Sequence, residues 1–266
     1  MTRRSPTRNM ARMADFTLDG RIALVTGASR GLGRHFAGVL ARAGAAVALA
    51  ARDEKLLAEA KGEIERTGGR AVAVPLDVTD GKSVKACVAA VEQALGPIDI
   101  LVNNAGIAVS KPLVEHSEED WDRVLDTNLK GAWLMSRELA SRWLELKHAG
   151  RIINISSLLA FRTARGVPSY AAAKAGLDHL TRTMAVELGR FGITVNAIAP
   201  GYVETDMNRD FLRSNTGKAL TSRIPAGRVG APDDLDGALL LLASPAGGYL
   251  NGVVLPVDGG HAVSVI

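Results

Sequence analysis

In the stretch Arg21-Ile-Ala-Leu-Val-Thr-Gly-Ala-Ser-Arg-Gly-Leu-Gly33, a short apolar run leads directly into a glycine-rich turn. The apolar run predicts a buried strand over residues 21–26, and the pattern from about Leu32 to Ala43 predicts a helix that ends at Gly44. Glycines between a strand and a helix let the backbone approach a phosphate group at the helix N-terminus. The alternative is a tight turn that binds no ligand. Because the glycine-rich stretch lies in the first strand–helix unit, nucleotide binding is favoured.

The same order of apolar strand and amphipathic helix recurs along the chain. Further strands are predicted at 47–51, 71–75, 98–102, 151–155, 193–199 and 253–257, and helices at 54–66, 84–95, 118–147 (interrupted around 128–131), 169–190 and 232–242. Strands that are apolar throughout indicate a parallel sheet with helices on both faces. We therefore predict one α/β domain over residues 15–266, a Rossmann-type doubly wound parallel sheet of about seven strands.

The net charge of +4 is concentrated at the N-terminus. Residues 1–14 contain four arginines and no acidic residue, and the rest of the chain carries 28 basic and 28 acidic residues. The body therefore lacks the basic surface typical of proteins that bind nucleic acid or anionic membranes. We predict that residues 1–14 form a disordered basic extension, which is short for a transit peptide and lacks the apolar core of a signal peptide.

Membrane, disulfide and metal chemistry are all disfavoured by the sequence. No apolar run approaches the roughly 18 residues that a membrane-spanning helix needs. The single cysteine, Cys87, excludes an intrachain disulfide and fits a reducing compartment, so we expect a cytoplasmic protein. The histidines show no metal-ligand spacing, so we expect no metal in the chemistry. They are His35, His116, His148, His179 and His261.

A phenol and an ammonium stand four residues apart in the alanine-rich run Ser169-Tyr-Ala-Ala-Ala-Lys-Ala-Gly176. In a helix, this spacing puts Tyr170 and Lys174 one turn apart on the same face. We expect the cation to lower the pKa of the phenol below its ordinary value of about 10, so that Tyr170 exchanges protons near neutral pH. Such a pair occurs by chance in many helices, so the rest of the chain must decide its meaning.

The chain resembles the short-chain dehydrogenase/reductase family from about Leu18 to Gly260. Six motifs carry the resemblance, in the family's order. They are the spacing of Gly27, Gly31 and Gly33; Asn103-Asn-Ala-Gly106 after the fourth strand; Asn128 in the long helix; Ser157, 13 residues before Tyr170; Tyr170-x-x-x-Lys174; and Pro200-Gly201 after the sixth strand. The resemblance implies a dinucleotide-binding fold and hydride transfer between a nicotinamide and a ketone or secondary alcohol.

The resemblance assigns catalytic roles to four residues. It implies that Tyr170 exchanges a proton with the substrate oxygen, and that Lys174 depresses the pKa of this phenol and hydrogen-bonds the nicotinamide ribose. It also implies that Ser157 donates to the same oxygen and that Asn128 holds a water linking Lys174 to solvent. Without the family, Ser157 is better explained as a strand-end cap and Asn128 as a polar group at a helix break. Ser156 is the rival serine, but it points to the other face of an extended strand.

The choice of cofactor depends on the end of the second strand, Ala50-Ala-Arg-Asp53. An acidic residue there would hold the ribose 2′-hydroxyl of NAD, whereas an arginine accommodates the 2′-phosphate of NADP. Ala51 occupies the usual acidic position, Arg52 follows it and Arg30 adds a second cation, so we predict NADP(H) in preference to NAD(H). Asp53 leaves an alternative open, because it either caps the next helix or takes the ribose.

The resemblance also implies the other cofactor contacts. Asp77 and Val78 are expected to contact the adenine. The turn after the fourth strand is expected to line the adenine-ribose side of the cofactor. The remaining residues are Ser29 and Leu32 in the glycine turn, Asn103, Asn104, Ala105 and Gly106 after the fourth strand, and Pro200, Gly201, Val203 and Thr205 around the nicotinamide carboxamide.

The substrate is not determined by these motifs. Residues 202–225, with apolar Met207, Phe211 and Leu212, are expected to form a mobile lid. The pocket walls are expected to be Leu158, Leu159, Phe161, Val167 and Tyr202. The chain is similar to 3-oxoacyl-acyl-carrier-protein reductases and to gluconate 5-dehydrogenase-like enzymes, and the physiological direction stays open.

Two further expectations concern assembly and catalysis. The family is usually tetrameric through its two long helices and last strand, so we expect a homotetramer. A dinucleotide-binding sensor or scaffold that has lost catalysis is the alternative function. It is disfavoured because Tyr170 and Lys174 are both present.

Overall fold

The computed structural model describes residues 14–204, 212 and 214–264. Its strands are β1 Ile22–Thr26, β2 Ala46–Ala51, β3 Ala71–Pro75, β4 Ile100–Asn103, β5 Arg151–Ile155, β6 Thr194–Pro200 and β7 Val254–Val257. They form one parallel sheet in the order β3-β2-β1-β4-β5-β6-β7. The predicted fold class is confirmed. The predicted N-terminal extension lies outside the described residues, apart from Ala14.

Helices connect the strands as the alternating pattern predicts. They are α1 Gly31–Arg42, α2 Glu54–Arg66, α3 Gly81–Leu95, α4 Glu118–Leu125, α5 Gly131–Leu146, α6 Pro168–Leu188, α7 Asn215–Thr221 and α8 Asp236–Ala243. A π-helical segment, Asp126–Lys130, joins α4 to α5, which places the predicted interruption of the long helix at Asn128. None of the helices in the described part of the chain is long and apolar enough to cross a membrane.

Each face of the sheet carries its own hydrophobic core. On one face, α1, α2 and α8 contribute buried side chains such as Phe36, Leu57 and Leu239. On the other face, α3, α5 and α6 contribute Val88, Trp143 and Met184 among others. Because both faces are covered, the strands are apolar at consecutive positions, as they are in other parallel sheets.

The strand order fixes where a ligand can bind. The chain runs outward from β1 to β3 on one side and restarts at β4 on the other side of β1. The connecting helices therefore diverge at the carboxyl ends of β1 and β4, which opens a crevice there. A cavity of about 840 Å³ occupies this edge, lined by residues that follow six of the strands.

Candidate active site

The glycine turn after β1 is shaped for a close approach to a ligand. Gly27 and Gly31 have positive φ angles of 65° and 55°, a region that favours glycine. A Cβ on Gly31 would meet no atom within 4 Å, so the turn is open on the cavity side. A Cβ on Gly33 would lie 2.3 Å from the Gly27 carbonyl oxygen. Gly33 therefore packs α1 against the turn, and it does not line the cavity.

The N-terminus of α1 has no side-chain cap. Arg30 stands at the N-cap position with extended backbone, and its side chain makes no capping hydrogen bond. The first N–H groups of a helix lack intrahelical partners, and the helix dipole favours an anion there. An uncapped helix that starts beside an open glycine fits a dinucleotide pyrophosphate. The residues that line this end of the cavity are Gly27, Ser29, Arg30, Gly31 and Leu32.

Asp53 lines the cavity and also makes a hydrogen bond at the start of α2, so a contact with the ribose stays open beside its capping role. The carboxylate of Asp53 accepts the N–H of Leu56 at 3.1 Å and caps α2. Arg52 is exposed and lines the cavity, as does Arg30. Arg52 lies near enough to Asp77 to help lower its pKa, although the main cause is the hydrogen bond from the Thr79 backbone. Two guanidinium groups thus border the cavity, that of Arg52 after β2 and that of Arg30 in the turn after β1.

The other predicted cofactor residues meet in the same cavity. Asp77 and Val78 follow β3, and Asn104, Ala105 and Gly106 follow β4. All five line the cavity, together with Pro200, Gly201 and Val203 after β6. Thr205 lies outside the described residues.

Asn103 does not line the cavity. Its amide donates to Ser136 Oγ at 3.0 Å and to Asn154 Oδ1 at 2.9 Å inside the core. It therefore contributes to packing rather than to the cavity wall.

Lys174 is buried beneath Tyr170. Its ammonium donates to the Ile155 carbonyl at 2.7 Å and lies 5.6 Å from the centroid of the Tyr170 ring. Burial lowers the pKa of Lys174 to about 8, and Asp178 opposes this shift. Burial of an ammonium disfavours its charged form, so Lys174 titrates within the pH range of enzyme assays.

Tyr170 and Ser157 both line the cavity, with their hydroxyls within hydrogen-bonding reach of each other. Burial raises the pKa of Tyr170, the hydroxyl of Ser157 lowers it and Tyr202 raises it. The expectation that the pKa of Tyr170 lies below its ordinary value is therefore wrong, because the loss of solvation on burial is the largest effect on this phenol. Tyr170 is accordingly a protonated phenol at neutral pH. Ser157 also accepts the N–H of Leu159 at 3.1 Å, so it is both a cap and a cavity residue.

Asn128 joins the π segment to the turn after β4. Its Oδ1 accepts the N–H of Ile107 and its Nδ2 donates to the Ile107 carbonyl, both at 2.8 Å. A Cβ on Gly106 would lie 3.3 Å from Asn128 Oδ1 and 3.7 Å from Lys174 Nζ. Asn128 therefore holds this turn beside Lys174. Its part in a proton relay stays a prediction.

Thr26 is a site residue that the sequence reasoning missed. Its Oγ1 accepts the N–H groups of Asn104 and Ala105, both at 3.0 Å, and fastens the turn after β4 to the end of β1. Its position immediately before Gly27 is the signal that could have identified it. Its effect depends on β4 lying next to β1, which the local sequence does not specify.

The substrate end of the cavity is mainly apolar. Leu158, Leu159, Val167 and Tyr202 line it as expected. Phe161 does not line it and is 44% exposed, which corrects the expectation for that residue. Within the expected lid, Leu212 is buried. Met207 and Phe211 lie outside the described residues.

One histidine belongs to a polar cluster away from this cavity. The side chains of His35, Asp233 and Asp236 place potential metal-ligand atoms within 4.8 Å of one another. His35 Nε2 lies 2.6 Å from Asp236 Oδ1, a hydrogen bond that joins α1 to α8. None of the three lines the cavity that holds Tyr170. The absence of a metal from the chemistry stays a prediction.

Comparison with known proteins gives a consistent result. A family model described as enoyl-(acyl carrier protein) reductase matches residues 27–262. The chain is 41% identical to gluconate 5-dehydrogenase of Gluconobacter oxydans (94% of this chain, 98% of that protein) and 41% identical to 3-oxoacyl-[acyl-carrier-protein] reductase of Vibrio harveyi (91% and 98%). A gluconate 5-dehydrogenase structure from Burkholderia cenocepacia, in complex with NADP and tartrate, superposes with a TM-score of 0.90 at 38% identity (95% and 99%).

These matches extend over more than nine-tenths of the chain and of each relative. They agree with the parallel sheet, the open glycine turn and the half-buried Tyr170 above the buried Lys174. The chain belongs to the short-chain dehydrogenase/reductase family and is an oxidoreductase that acts on alcohol and ketone groups.

Proposed function

We propose that this protein transfers a hydride between NADP(H) and a ketone or secondary alcohol, with Tyr170 as the general acid and base. The observation that carries the proposal is the meeting of the Tyr170 and Ser157 hydroxyls in the cavity that also contains the open glycine turn. We further propose that residues 15–266 form one catalytic domain.

The reaction follows from the state of each side chain. The bound nicotinamide supplies the hydride in the reductive direction and accepts it in the oxidative direction. Because burial keeps Tyr170 protonated, its hydroxyl can give a proton to the carbonyl oxygen as charge develops there. Ser157 donates a hydrogen bond to the same oxygen. The Lys174 ammonium stabilises the phenolate that Tyr170 becomes, until Tyr170 regains a proton from solvent.

The proposal is tested by an assay of purified protein with a panel of ketones and both NADPH and NADH. Oxidation of the cofactor by at least one ketone, with strict dependence on Tyr170, supports it. Tight NADPH binding without oxidation by any ketone would instead favour the non-catalytic sensor or scaffold.

We propose that the physiological substrate is either a sugar acid or a 3-oxoacyl thioester. The apolar walls Leu158, Leu159 and Val167 suit an acyl chain. Positive charge beside Tyr202 favours an anionic group. The ring of Tyr202 lies 5.8 Å from that of His261. Burial, Arg162 and Arg223 lower the pKa of His261 and Asp258 raises it, so two guanidinium groups and one carboxylate lie close to this histidine.

A comparison of kcat/KM separates the two substrate classes. The panel contains a keto sugar acid, a neutral keto sugar of the same length and acetoacetyl thioesters. A preference for the acid over the neutral sugar, lost in Arg223→Ala, would favour the sugar acids. A preference for thioesters that does not depend on Arg223 would favour the acyl substrates.

We propose that NADP(H) is preferred because Arg52 and Arg30 border the cavity while Asp53 caps α2. Replacing Arg52 by alanine should raise the Kd of NADPH by about 10- to 100-fold, since a charged hydrogen bond contributes about 1.5–3 kcal/mol. The Kd of NADH should change by less than about threefold, because NADH has no 2′-phosphate. Fluorescence titration measures both constants.

The matched control for this variant is Lys55→Ala. Lys55 is an exposed cation on α2 that does not line the cavity. Its removal should leave both constants unchanged. Equal weakening of NADPH and NADH binding in Arg52→Ala would show that Arg52 does not discriminate between the cofactors.

We also propose a cytoplasmic homotetramer. Trp121 on α4 and Trp133 and Leu144 on α5 are 39%, 39% and 40% exposed, and apolar side chains of this size suit a subunit interface. Light scattering after gel filtration measures the mass. A mass of one chain, about 27.9 kDa, would contradict the proposal.

A further inference from the structure

A buried carboxylate lies one helical turn beyond Lys174. Asp178 of α6 is 3% exposed and Lys174 is 4% exposed. Both carboxylate oxygens of Asp178 are buried, and the polar side chain closest to them is the Ser156 hydroxyl, which makes no hydrogen bond of good geometry to either oxygen. A carboxylate in such surroundings destabilises the fold unless a nearby positive charge compensates for its lost hydration.

The surroundings of Asp178 identify this positive charge. Residues four apart on a helix lie on the same face, so Lys174 and Arg182 flank Asp178 one turn away on either side. Both cations lower the pKa of Asp178, although burial, the largest effect, raises it. Arg182 and His179 are exposed to solvent, whereas Lys174 is buried. Arg182 has the larger effect on the pKa of Asp178, whereas Lys174 is the cation that is buried together with it, where solvent screens the interaction least.

The other elements packed around Lys174 contribute neutral groups. Strand β5 contributes the Ile155 carbonyl, which accepts from the ammonium at 2.7 Å. The Ser156 hydroxyl, also from β5, lies within hydrogen-bonding reach of the Asp178 carboxylate and lowers its pKa. The π segment contributes the amide of Asn128, near the same ammonium. The charge on Lys174 is therefore opposed by burial and supported by Asp178.

We propose that Asp178 is a positioning residue for catalysis: its buried carboxylate keeps the Lys174 ammonium charged beneath Tyr170. The inference rests on the proposed function, in which that ammonium stabilises the Tyr170 phenolate. Asp178 touches neither the cavity nor the reacting atoms. It acts through Lys174, and it lies beside Ser156, the residue that precedes Ser157.

The direction of the effect follows from the charges. Burial lowers the pKa of Lys174 to about 8, and Asp178 raises it. Without the carboxylate, this pKa falls further, and Lys174 becomes neutral at a lower pH. The alkaline limb of the pH profile for ketone reduction, which we assign to Lys174, should therefore move to lower pH.

The test compares Asp178→Asn with the wild type across the pH range. The variant keeps the size of the side chain and removes its charge. We expect the alkaline limb of kcat/KM for ketone reduction to move down by about one pH unit, as Coulomb's law gives for charges one helical turn apart in a protein interior. The Kd of NADPH, measured by fluorescence, should begin to rise at a correspondingly lower pH.

Two variants serve as controls. Asp178→Glu keeps the charge and should restore the wild-type profile. Glu187→Gln removes a negative charge from the exposed end of the same helix, about 20 Å from Lys174, and should leave the profile unchanged. If Asp178→Asn folds poorly, Asp178→Ser removes the same charge with a smaller side chain.

The outcomes separate this inference from the proposed function. An active Asp178→Asn enzyme with an unshifted alkaline limb would overturn the role of Asp178 and leave the reaction intact. If no ketone is reduced by the wild type, the proposed function fails, and the pH dependence of NADPH binding still decides on Asp178. A downward shift of that binding curve supports the inference, and its absence overturns it.

Discussion

Replacing Tyr170 by phenylalanine is expected to lower kcat for ketone reduction by about 10²- to 10⁴-fold, the usual contribution of a positioned general acid. The substitution removes the phenolic proton and keeps the ring that packs over Lys174. Because only the proton donor is lost, the Kd of NADPH should stay within about twofold of the wild-type value, well below the 1.4 kcal/mol of a tenfold change. Steady-state kinetics and a fluorescence titration measure the two effects.

The chain offers a matched tyrosine as a control. Tyr249 is fully exposed and does not line the cavity, so Tyr249→Phe should leave kcat and KM unchanged. If Tyr170→Phe retained more than about a tenth of the wild-type kcat, the loss would be smaller than the loss expected on removal of a general acid. It would show that another group donates the proton.

Replacing Gly33 by alanine is expected to damage both folding and cofactor binding. The new Cβ would lie 2.3 Å from the Gly27 carbonyl oxygen and 2.5 Å from Asn104 Nδ2, so the glycine turn would have to move. We expect the free energy of unfolding to fall by about 1–3 kcal/mol, the usual cost of overpacking. The Kd of NADPH should rise by at least about tenfold, because the displaced turn no longer presents its N–H groups correctly.

Gly62→Ala in α2 is the matched control. A Cβ on Gly62 would meet no atom within 4 Å, so the substitution adds no clash. Alanine is a better helix former, and the free energy of unfolding should rise by about 0.5–1 kcal/mol. Chemical denaturation measures both variants. If Gly33→Ala proved as stable as Gly62→Ala, with normal NADPH binding, Gly33 would not be needed for close packing.

The alternation of strands and helices was predictable because it is encoded in local patterns. Apolar runs with the bounds of β3 and β5, and the amphipathic pattern of α2, agree with the observed elements. The interruption of the long helix near Asn128 was also predictable, although its π-helical form was not. The candidate site residues could be chosen because their spacing resembles that of a known family.

The pKa direction of Tyr170 could not be predicted from sequence. Spacing places Lys174 one turn away, but it does not reveal how much solvent remains around either group. Burial reverses the expected shift of the phenol and brings the pKa of Lys174 to about 8. Likewise, Phe161 and Leu158 are both apolar residues of the same loop, and only the fold exposes the first and buries the second.

By itself, the sequence determined the parallel α/β sheet and the glycine turn, since periodicity and glycine positions act locally along the chain. The residues that meet at the carboxyl edge of the sheet were implied by the resemblance of their spacing to that of a known family. The tertiary structure decided how these residues behave. It directed Asp53 to cap α2, turned Asn103 into the core and buried the Asp178 carboxylate one turn from Lys174. These outcomes depend on solvent exclusion and on contacts between distant segments, because hydration and electrostatic energies are properties of the packed molecule.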